Sequence, residues 1–290
     1  MIFTSPEPAI PIPEVPLTPF LLESAAARGD KPALIDGPSG RTLTYRGWAE
    51  AVRRGAAGLA QRGFGKGDVF AIYSPNLPEY AIAFHAVSLL GGTVTTINPL
   101  YTAAELSQQL QDARARYLVT VAPFLEKAQQ AAREASVQEV FVFGEAEGAT
   151  PFASLLAATG EPPAVAIDPR QDVVVLPYSS GTTGLPKGVM LTHYNLVANI
   201  LQTASILDVG AHDVVLGVLP FFHIYGMVVI MNVGLHVGST IVTLPRFDLE
   251  QFLDLIEQHR VTRAFIVPPI AVALAKHPAV DSRDLSSVRQ

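Results

Sequence analysis

Short apolar segments rich in β-branched residues alternate along the first half of the chain with longer segments of helical periodicity. Residues 32–36 and 41–45 flank a Gly-Pro-Ser-Gly turn, a pattern that predicts a hairpin. The later strands are apolar throughout, which is typical of parallel sheets covered by helices on both faces. The predicted fold class is therefore α/β, with two stacked βαβ-type subdomains. Further strands are predicted at residues 69–74, 93–97, 117–121 and 139–143, and helices at residues 48–61, 78–90 and 125–135. Thr102 and Glu105 form a capping box that opens one more helix.

The chain is predicted to have three parts. Residues 1–20 contain six prolines and are expected to form an extended arm rather than a helix. Residues 21–170 form the first α/β subdomain, which ends in a linker-like stretch at 160–170. Residues 171–290 form the second subdomain. Its predicted elements are strands at 172–178 and 261–267, the latter ended by Pro268-Pro269, and helices at 194–207 and after the capping residue Asp248.

A long uncharged segment raises the alternative of a membrane protein. Residues 214–245 contain no Asp, Glu, Lys or Arg, and the segment is long enough to span a bilayer. However, Pro220, four glycines and the polar residues His223, Asn232 and His236 interrupt it, and no basic cluster flanks it. We therefore expect a buried strand, a loop, a buried helix and a second buried strand.

Composition excludes several classes of protein. The 26 acidic and 20 basic side chains give a net charge of -6, without the basic excess of a nucleic-acid-binding protein. Cysteine is absent, which excludes disulfide scaffolds and cysteine nucleophiles. The N-terminus has no basic region before an apolar run, so no signal peptide is predicted and a cytoplasmic location is expected.

The segment with the clearest chemical content is YSSGTTGLPKG, residues 178–188. It combines hydroxyls, three glycines and one of only five lysines in the chain. Glycines allow backbone amides to approach a ligand closely, and successive amides then form a concavity that suits phosphate oxygens. Hydroxyls add donors and Lys187 adds a positive charge, so the segment predicts a polyphosphate-binding loop. The alternative is a flexible Ser/Gly surface loop, which does not account for the lysine.

The segment does not match the P-loop of NTPases. That motif has Gly before the lysine and Ser or Thr after it, whereas Pro186 and Gly188 flank Lys187 here. Residues 189–192 favour a strand, and the next helix is predicted to start only at His193. We therefore expect the loop to join two strands rather than to precede a helix.

At this point the sequence resembles a known family. YSSGTTGLPKGVMLTH is similar to the signature loop of the adenylate-forming superfamily, within its acyl-CoA synthetases and especially 4-coumarate–CoA ligases. Agreement extends to LLGGTVTTINPLYTAAEL, to LPFFHIYG at residues 219–226, and to LPRFD at residues 244–248. The resemblance covers roughly residues 31–290 and implies the N-terminal part of the large domain of such an enzyme.

The resemblance implies an ATP-dependent carboxylic acid–CoA ligase. Such enzymes form an acyl-adenylate and pyrophosphate, then transfer the acyl group to coenzyme A. The acid is expected to be an aryl acid such as 4-coumarate or a fatty acid, and Mg²⁺ is expected beside the phosphates, with its ligands in this chain unknown. By the family's pattern, Lys187 would be catalytic, and the phosphate-binding residues would be Ser179, Ser180, Gly181, Thr182, Thr183, Gly184 and Lys187.

Three further residues match positions of the family outside the loop. His223 and Tyr225 match a pair that lines the acyl-adenylate site, although composition alone favours a core histidine. Arg246 matches a basic position that contacts a phosphate of coenzyme A, and the alternative is a solvated arginine before a helix. Gly226 suits either a roomy acyl pocket or the start of a helix.

The resemblance also implies that later parts of the family's fold lie beyond residue 290. These include the ribose-binding aspartate, the acidic magnesium ligand and a C-terminal domain with the lysine needed for adenylation. We therefore expect an N-terminal fragment that is inactive alone, has the remaining C-terminal part as its partner, and exposes apolar surface that favours self-association. An adenylating enzyme for a carrier protein, a luciferase-like oxygenase and a non-catalytic nucleotide-binding fragment are the alternative functions.

Overall fold

The chain folds into two β-sheets with helices between and around them, as seen in a computed structural model that describes residues 8–179 and 186–289. The strands are β1 (Pro32–Asp36), β2 (Thr42–Thr44), β3 (Val69–Ile72), β4 (Thr93–Thr96), β5 (Ala115–Val121), β6 (Glu139–Phe143), β7 (Thr150–Pro151), β8 (Val173–Ser179), β9 (Lys187–Gly188), β10 (Leu191–Thr192), β11 (Val214–Gly217) and β12 (Thr240–Thr243). The helices are α1 (Leu17–Ala26), α2 (Tyr45–Gln61), α3 (Pro78–Leu89), α4 (Ala103–Asp112), α5 (Leu125–Glu134), α6 (Ala153–Leu156), α7 (His193–Ile206), α8 (Val233–Val237), α9 (Leu249–His259) and α10 (Pro268–Lys276), with a π-helical segment at Gly226–Asn232.

The larger sheet has the strand order β10-β8-β4-β3-β5-β6-β7, and β9 pairs with the outer part of β8. Its central pairs are parallel, whereas β9 and β10 both run antiparallel to β8. The smaller sheet has the order β11-β12-β1-β2, in which only β1–β2 is antiparallel. The predicted class, a mostly parallel α/β fold with helical layers, is therefore confirmed.

Each sheet contains strands from both sides of the boundary predicted at residue 170. β1 pairs with β12, which lies about 200 residues later (Leu34 opposite Ile241), and β4 pairs with β8 (Val94 opposite Val175). The two sheets are therefore not two consecutive stretches of sequence. The linker-like stretch at residues 160–170 does lack helices and strands, and Lys66 Nζ donates to the Ala166 carbonyl in its middle.

Helix α3 lies in the centre of the molecule, which explains its unusual composition. Almost all of its side chains are buried, including Tyr80, Phe84 and His85. It contacts α1, α2 and strands of both sheets, so no face is left for polar residues. Helix α2 packs beside α3 on one side and against α6 on another. Gly58 of α2 allows the close approach of α6, since an added Cβ would lie 2.3 Å from the carbonyl oxygen of Leu155.

The extended arm predicted for residues 1–20 is too long by four residues. Helix α1 begins at Leu17, after a stretch without regular structure from residue 8. Pro19 is tolerated because it lies in the first helical turn, where the backbone N–H groups have no partner within the helix. Burial of Leu17, Leu21 and Leu22 against the neighbouring helices then stabilises the helix.

The strand predicted at residues 261–267 is also wrong. Only Arg263 forms a β-bridge, with Val215, and the chain then enters helix α10 at Pro268. Proline at the first helical position has no N–H to satisfy and has the required φ, so Pro268-Pro269 starts a helix here instead of merely ending a strand.

The uncharged segment has the predicted arrangement of strand, loop, helix and strand, formed by β11, the π-helical segment with α8, and β12. Its apolar side chains enter the core, and among the described residues no helix has both the length and the apolar character needed to cross a bilayer.

Candidate functional site

The two stems of the predicted phosphate-binding loop lie side by side at the end of β8. Tyr178 pairs with Gly188 and Ser179 with Lys187 in an antiparallel register. The loop therefore joins two strands and does not precede a helix, as predicted, since helix α7 begins only after β10. The strand after the loop is β9, however, and of the predicted strand at residues 189–192 only β10 forms. Ser179 and Lys187 are both exposed, so their polar groups are accessible to a ligand. Five predicted site residues lie outside the described part of the chain: Ser180, Gly181, Thr182, Thr183 and Gly184.

A second loop, which follows β11, carries His223 towards the same region. The buried side chain of Asn76 fixes its first half by donating to the carbonyls of Gly217 and Leu219 at 2.9 and 2.8 Å and accepting from the Phe221 amide at 2.7 Å. Thr96, at the end of β4, donates to the Phe222 carbonyl at 2.8 Å. Because Asn76 follows β3, these bonds tie the loop of the smaller sheet to the larger sheet.

His223 itself is exposed, and its local hydrogen bond defines its chemistry. The Tyr225 amide donates to His223 Nδ1 at 3.3 Å. A neutral imidazole that accepts at Nδ1 carries its proton on Nε2, so Nε2 can donate to a ligand oxygen. The histidine is therefore a surface group at the site and not a core histidine.

Ser179 and His223 line one cavity of about 510 Å³. The cavity lies at the carboxyl ends of β4 and β8, where parallel α/β sheets commonly bind ligands. Its wall is mixed: apolar side chains surround a few hydroxyl and amide groups, which suits a partly apolar small molecule. The lining residues are Thr96, Asn98, Tyr101, Gln109, Pro177, Tyr178, Ser179, Val189, Leu191, Phe222, His223 and Ile224.

An adjoining cavity of about 820 Å³ surrounds Lys187. Tyr101, Gln109 and Tyr178 line both cavities, so the two share a wall. The lysine faces a polar surface of α4 that contains Glu105 and Asp112. The pKa of Glu105 is lowered mainly by the hydrogen bond from the Thr102 amide, which keeps this carboxylate ionised at neutral pH.

Two predicted site residues do not line these cavities among the described residues. Tyr225 is 42% exposed, and its ring lies 6.1 Å from that of Phe265. Arg246 is exposed in the connection between β12 and α9. Gly226 is buried against the backbone of Pro220, whose carbonyl oxygen would lie 2.2 Å from an added Cβ, so close packing explains this glycine directly.

A metal site built from this chain's own side chains is not evident in the described ranges, 8–179 and 186–289. No group of three or more His, Asp or Glu side chains lies close enough together there to hold an ion. The described residues therefore supply a cation, hydroxyls and a histidine, but no carboxylate cage.

Several residues at the site were not identified from the sequence. Asn76 and Thr96 lie 126 to 145 positions before the loop residues to which they hydrogen-bond. Asp112 lies 66 positions before Tyr178, and Gln109 lines both cavities. Only the positions of Asn76 and Thr96 at the ends of predicted strands could have suggested a role, since strand ends meet at one edge of a parallel sheet.

The chain is similar to known proteins along almost its whole length. The family model described as AMP-binding enzyme matches residues 21–290. The 4-coumarate–CoA ligase 3 of Oryza sativa subsp. japonica is 42% identical across 100% of this chain and 53% of its own length. A probable 4-coumarate–CoA ligase 1 of Dictyostelium discoideum is 38% identical, across 99% and 56%. The chain thus spans about half the length of the curated relatives it matches.

Solved structures show the same fold. A long-chain-fatty-acid–CoA ligase from Archaeoglobus fulgidus superposes with a TM-score of 0.86 at 28% identity, covering 94% of this chain and 55% of that one. A red-emitting luciferase from Phrixothrix hirtus gives 0.85 at 25% identity, covering 96% and 55%. The same fold is therefore shared by a luciferase and by an acid–CoA ligase. This chain is a member of the AMP-binding, adenylate-forming enzyme family, and its sequence is similar to those of 4-coumarate–CoA ligases.

Proposed function

We propose that this chain supplies the phosphate-binding and acyl-binding parts of an ATP-dependent carboxylic acid–CoA ligase. The observation that carries the proposal is the juxtaposition of Ser179, at one stem of the glycine-rich loop, with His223 in one partly apolar cavity. An acyl-adenylate needs both environments at once, because an apolar acyl group is bonded to a charged phosphate. The similarity to 4-coumarate–CoA ligases supports the same reaction class.

The described residues suggest how the reaction would be assisted. Lys187 would place positive charge near the polyphosphate, and Ser179 would donate to a phosphate oxygen. His223 Nε2 would donate to an oxygen at the junction of acyl and phosphate groups. Charge on these oxygens grows as pyrophosphate leaves, so donors fixed before the reaction lower its barrier. Magnesium would arrive with the ATP phosphates, and the described side chains offer no carboxylate cluster for it.

The substrate is proposed only as a class. A cavity of about 510 Å³ with mainly apolar walls suits an aryl acid such as 4-coumarate or part of a fatty acid. Arg246 is proposed to contact a phosphate of coenzyme A and Tyr225 to border the acyl-adenylate, together with parts of the longer relatives that this chain does not span. The loop residues Ser180 to Gly184 are proposed to complete the phosphate site.

Ligand titration tests the binding half of the proposal. The chain would be titrated with ATP and with a non-hydrolysable acyl-adenylate that carries a coumaroyl group. We expect the acyl-adenylate to bind more tightly than ATP, since it fills both environments. Lys187→Met should weaken ATP binding about tenfold, because it removes a charge-assisted contact. Lys276→Met, at an exposed lysine in the last turn of α10, is the matched control and should leave binding unchanged.

Exchange of pyrophosphate into ATP tests the catalytic half. We expect the isolated chain to have no turnover, so measurable exchange with any carboxylic acid would contradict the expectation that it is inactive alone. Binding of ATP with no preference for acyl-adenylates would favour a non-catalytic nucleotide-binding fragment. For a longer protein that contains this chain, acyl transfer to a carrier protein but not to coenzyme A would favour the carrier-protein alternative.

A further inference from the structure

A tyrosine and an aspartate hold the base of the glycine-rich loop, and neither belongs to the predicted set of phosphate-binding residues. The Tyr178 hydroxyl, at the end of β8, donates to the Asp112 carboxylate, which is the last residue of α4. The two residues lie 66 positions apart in sequence. The bond therefore links the first stem of the loop, at the end of β8, to helix α4, which packs on a different part of the larger sheet.

The tyrosine ring also supports the second stem of the loop. Gly188 pairs with Tyr178, and an added Cβ at Gly188 would lie 3.1 Å from two ring carbons and 3.2 Å from the hydroxyl oxygen. This contact is tighter than ordinary van der Waals packing, so the glycine backbone lies directly on the ring. Lys187 precedes that glycine and is paired with Ser179. The ring of Tyr178 thus helps to fix the backbone positions of Ser179 and Lys187, the two exposed residues at the stems of the loop.

The Tyr178 hydroxyl is a donor throughout the physiological pH range. Burial, and then the neighbouring Asp112 carboxylate, raise its pKa well above the usual value. Proton donation to a carboxylate gives a charge-assisted hydrogen bond, which is stronger than one between neutral groups. Asp112 is at a helix C-terminus, where a negative charge opposes the helix dipole, so its presence there is not explained by stabilisation of α4.

We propose that Tyr178 and Asp112 are positioning residues that fix the two stems of the glycine-rich loop and thereby set the geometry in which Ser179 and Lys187 meet a nucleotide. The nucleotide part of this proposal rests on the proposed function. Neither residue needs to touch the phosphates. Their effect on a ligand passes through the ring of Tyr178 to the paired backbones of β8 and β9.

Limited digestion with trypsin tests the fixed stem without any ligand. Trypsin cleaves after Lys187, and Lys276 in the same chain serves as an internal reference because it is exposed in α10. Tyr178→Phe and Asp112→Ala should each raise the ratio of cleavage at Lys187 to that at Lys276 about fivefold, the effect of losing one partly exposed charge-assisted hydrogen bond. Tyr117→Phe is the matched control, since it removes the hydroxyl bond to the Arg62 carbonyl far from the loop.

The double variant Tyr178→Phe/Asp112→Ala shows whether the two residues act as one unit. If they do, the double variant should cleave no faster than either single variant. The free energy of unfolding measured in parallel separates this role from general destabilisation. Asp112→Ala should change the free energy of unfolding of the whole chain only slightly, because removal of a negative charge from a helix C-terminus offsets much of the loss of the Tyr178 bond.

Titration with ATP then tests the functional consequence. Both single variants should bind ATP about fivefold more weakly than the original chain, and Tyr117→Phe should bind equally well. Unchanged cleavage at Lys187 in the two variants would overturn the proposal. Faster cleavage with unaltered ATP affinity would overturn the link to ligand binding. Faster cleavage in a chain that binds no ATP at all would uphold the fixed stems and refute the proposed function instead.

Discussion

Stability of this chain should fall between pH 7 and pH 5 because two neutral histidines are buried against helix α1. The first backbone N–H of that helix, at Leu17, donates to His193 Nδ1 at 3.1 Å. Thr18 Oγ1 lies 3.0 Å from His85 Nδ1, and His85 is fully buried edge-on to Trp48 at 5.2 Å between ring centres. Neither imidazole can take up a proton in place without placing a charge in an apolar interior.

Burial lowers the pKa of His85 to about 3 and that of His193 to about 4. In the unfolded chain both titrate near the ordinary value of about 6.5, so below that pH the unfolded state binds more protons than the folded state. Stability is therefore fully present above about pH 7 and is lost as the pH falls. Between pH 7 and pH 5 each histidine lowers the free energy of unfolding by about 2 kcal/mol, and the two together lower it by about 4 kcal/mol.

Urea denaturation at pH 7, 6 and 5 measures this loss, with the fluorescence of Trp48, the single tryptophan, as a local probe. His85→Gln should be less stable at pH 7, but its free energy of unfolding should fall by about 2 kcal/mol less between pH 7 and pH 5 than that of the original chain, since glutamine does not titrate. His277→Gln, at an exposed histidine, is the control and should keep the full dependence. If the free energy of unfolding fell equally between pH 7 and pH 5 in the original chain and in His85→Gln, burial of neutral His85 would not be a cause of the pH dependence. Carboxylates with lowered pKa values, such as Asp284, lose their contribution only at more acidic pH.

Three further predictions concern packing and exposed surface. Asn76→Asp should destabilise the chain by about 2 kcal/mol in urea denaturation and weaken acyl-adenylate binding, because it removes both buried N–H donors that hold the His223 loop. Unaltered stability would contradict this role of Asn76. Gly58→Ala should cost more than about 2 kcal/mol, since its Cβ would overlap the Leu155 backbone, and a shift in melting temperature of under a degree would disprove that packing. The isolated chain should self-associate at high concentration through apolar side chains exposed on and near α10, and Val272→Glu should reduce the effect; a monodisperse monomer of the original chain by light scattering would argue against it.

Some features of the site at the stems of the glycine-rich loop could be predicted from the sequence, and others could not. A phosphate role for Lys187 is predicted from residue types within eleven consecutive positions and stays a prediction. The position of the loop between two strands is seen in the structure, where its stems pair. The Tyr178–Asp112 bond could not be predicted, because it depends on where α4 lies relative to β8. His223 was predicted from its motif alone, whereas its access to the cavity beside Ser179 depends on Asn76 and Thr96.

Sequence by itself determined the local structure of this protein. Thr102 with Glu105 and Asp248 with Gln251 cap their helices through bonds that span three residues, and both were predicted correctly. Tertiary structure decided everything that needs a distant partner. β1 joins β12 across two hundred positions, residues 261–267 find only one bridge instead of a strand, and α1 forms because its apolar face is buried. The reason is physical: a capping bond depends only on neighbours in sequence, whereas strand pairing and burial depend on which surfaces the whole fold brings together.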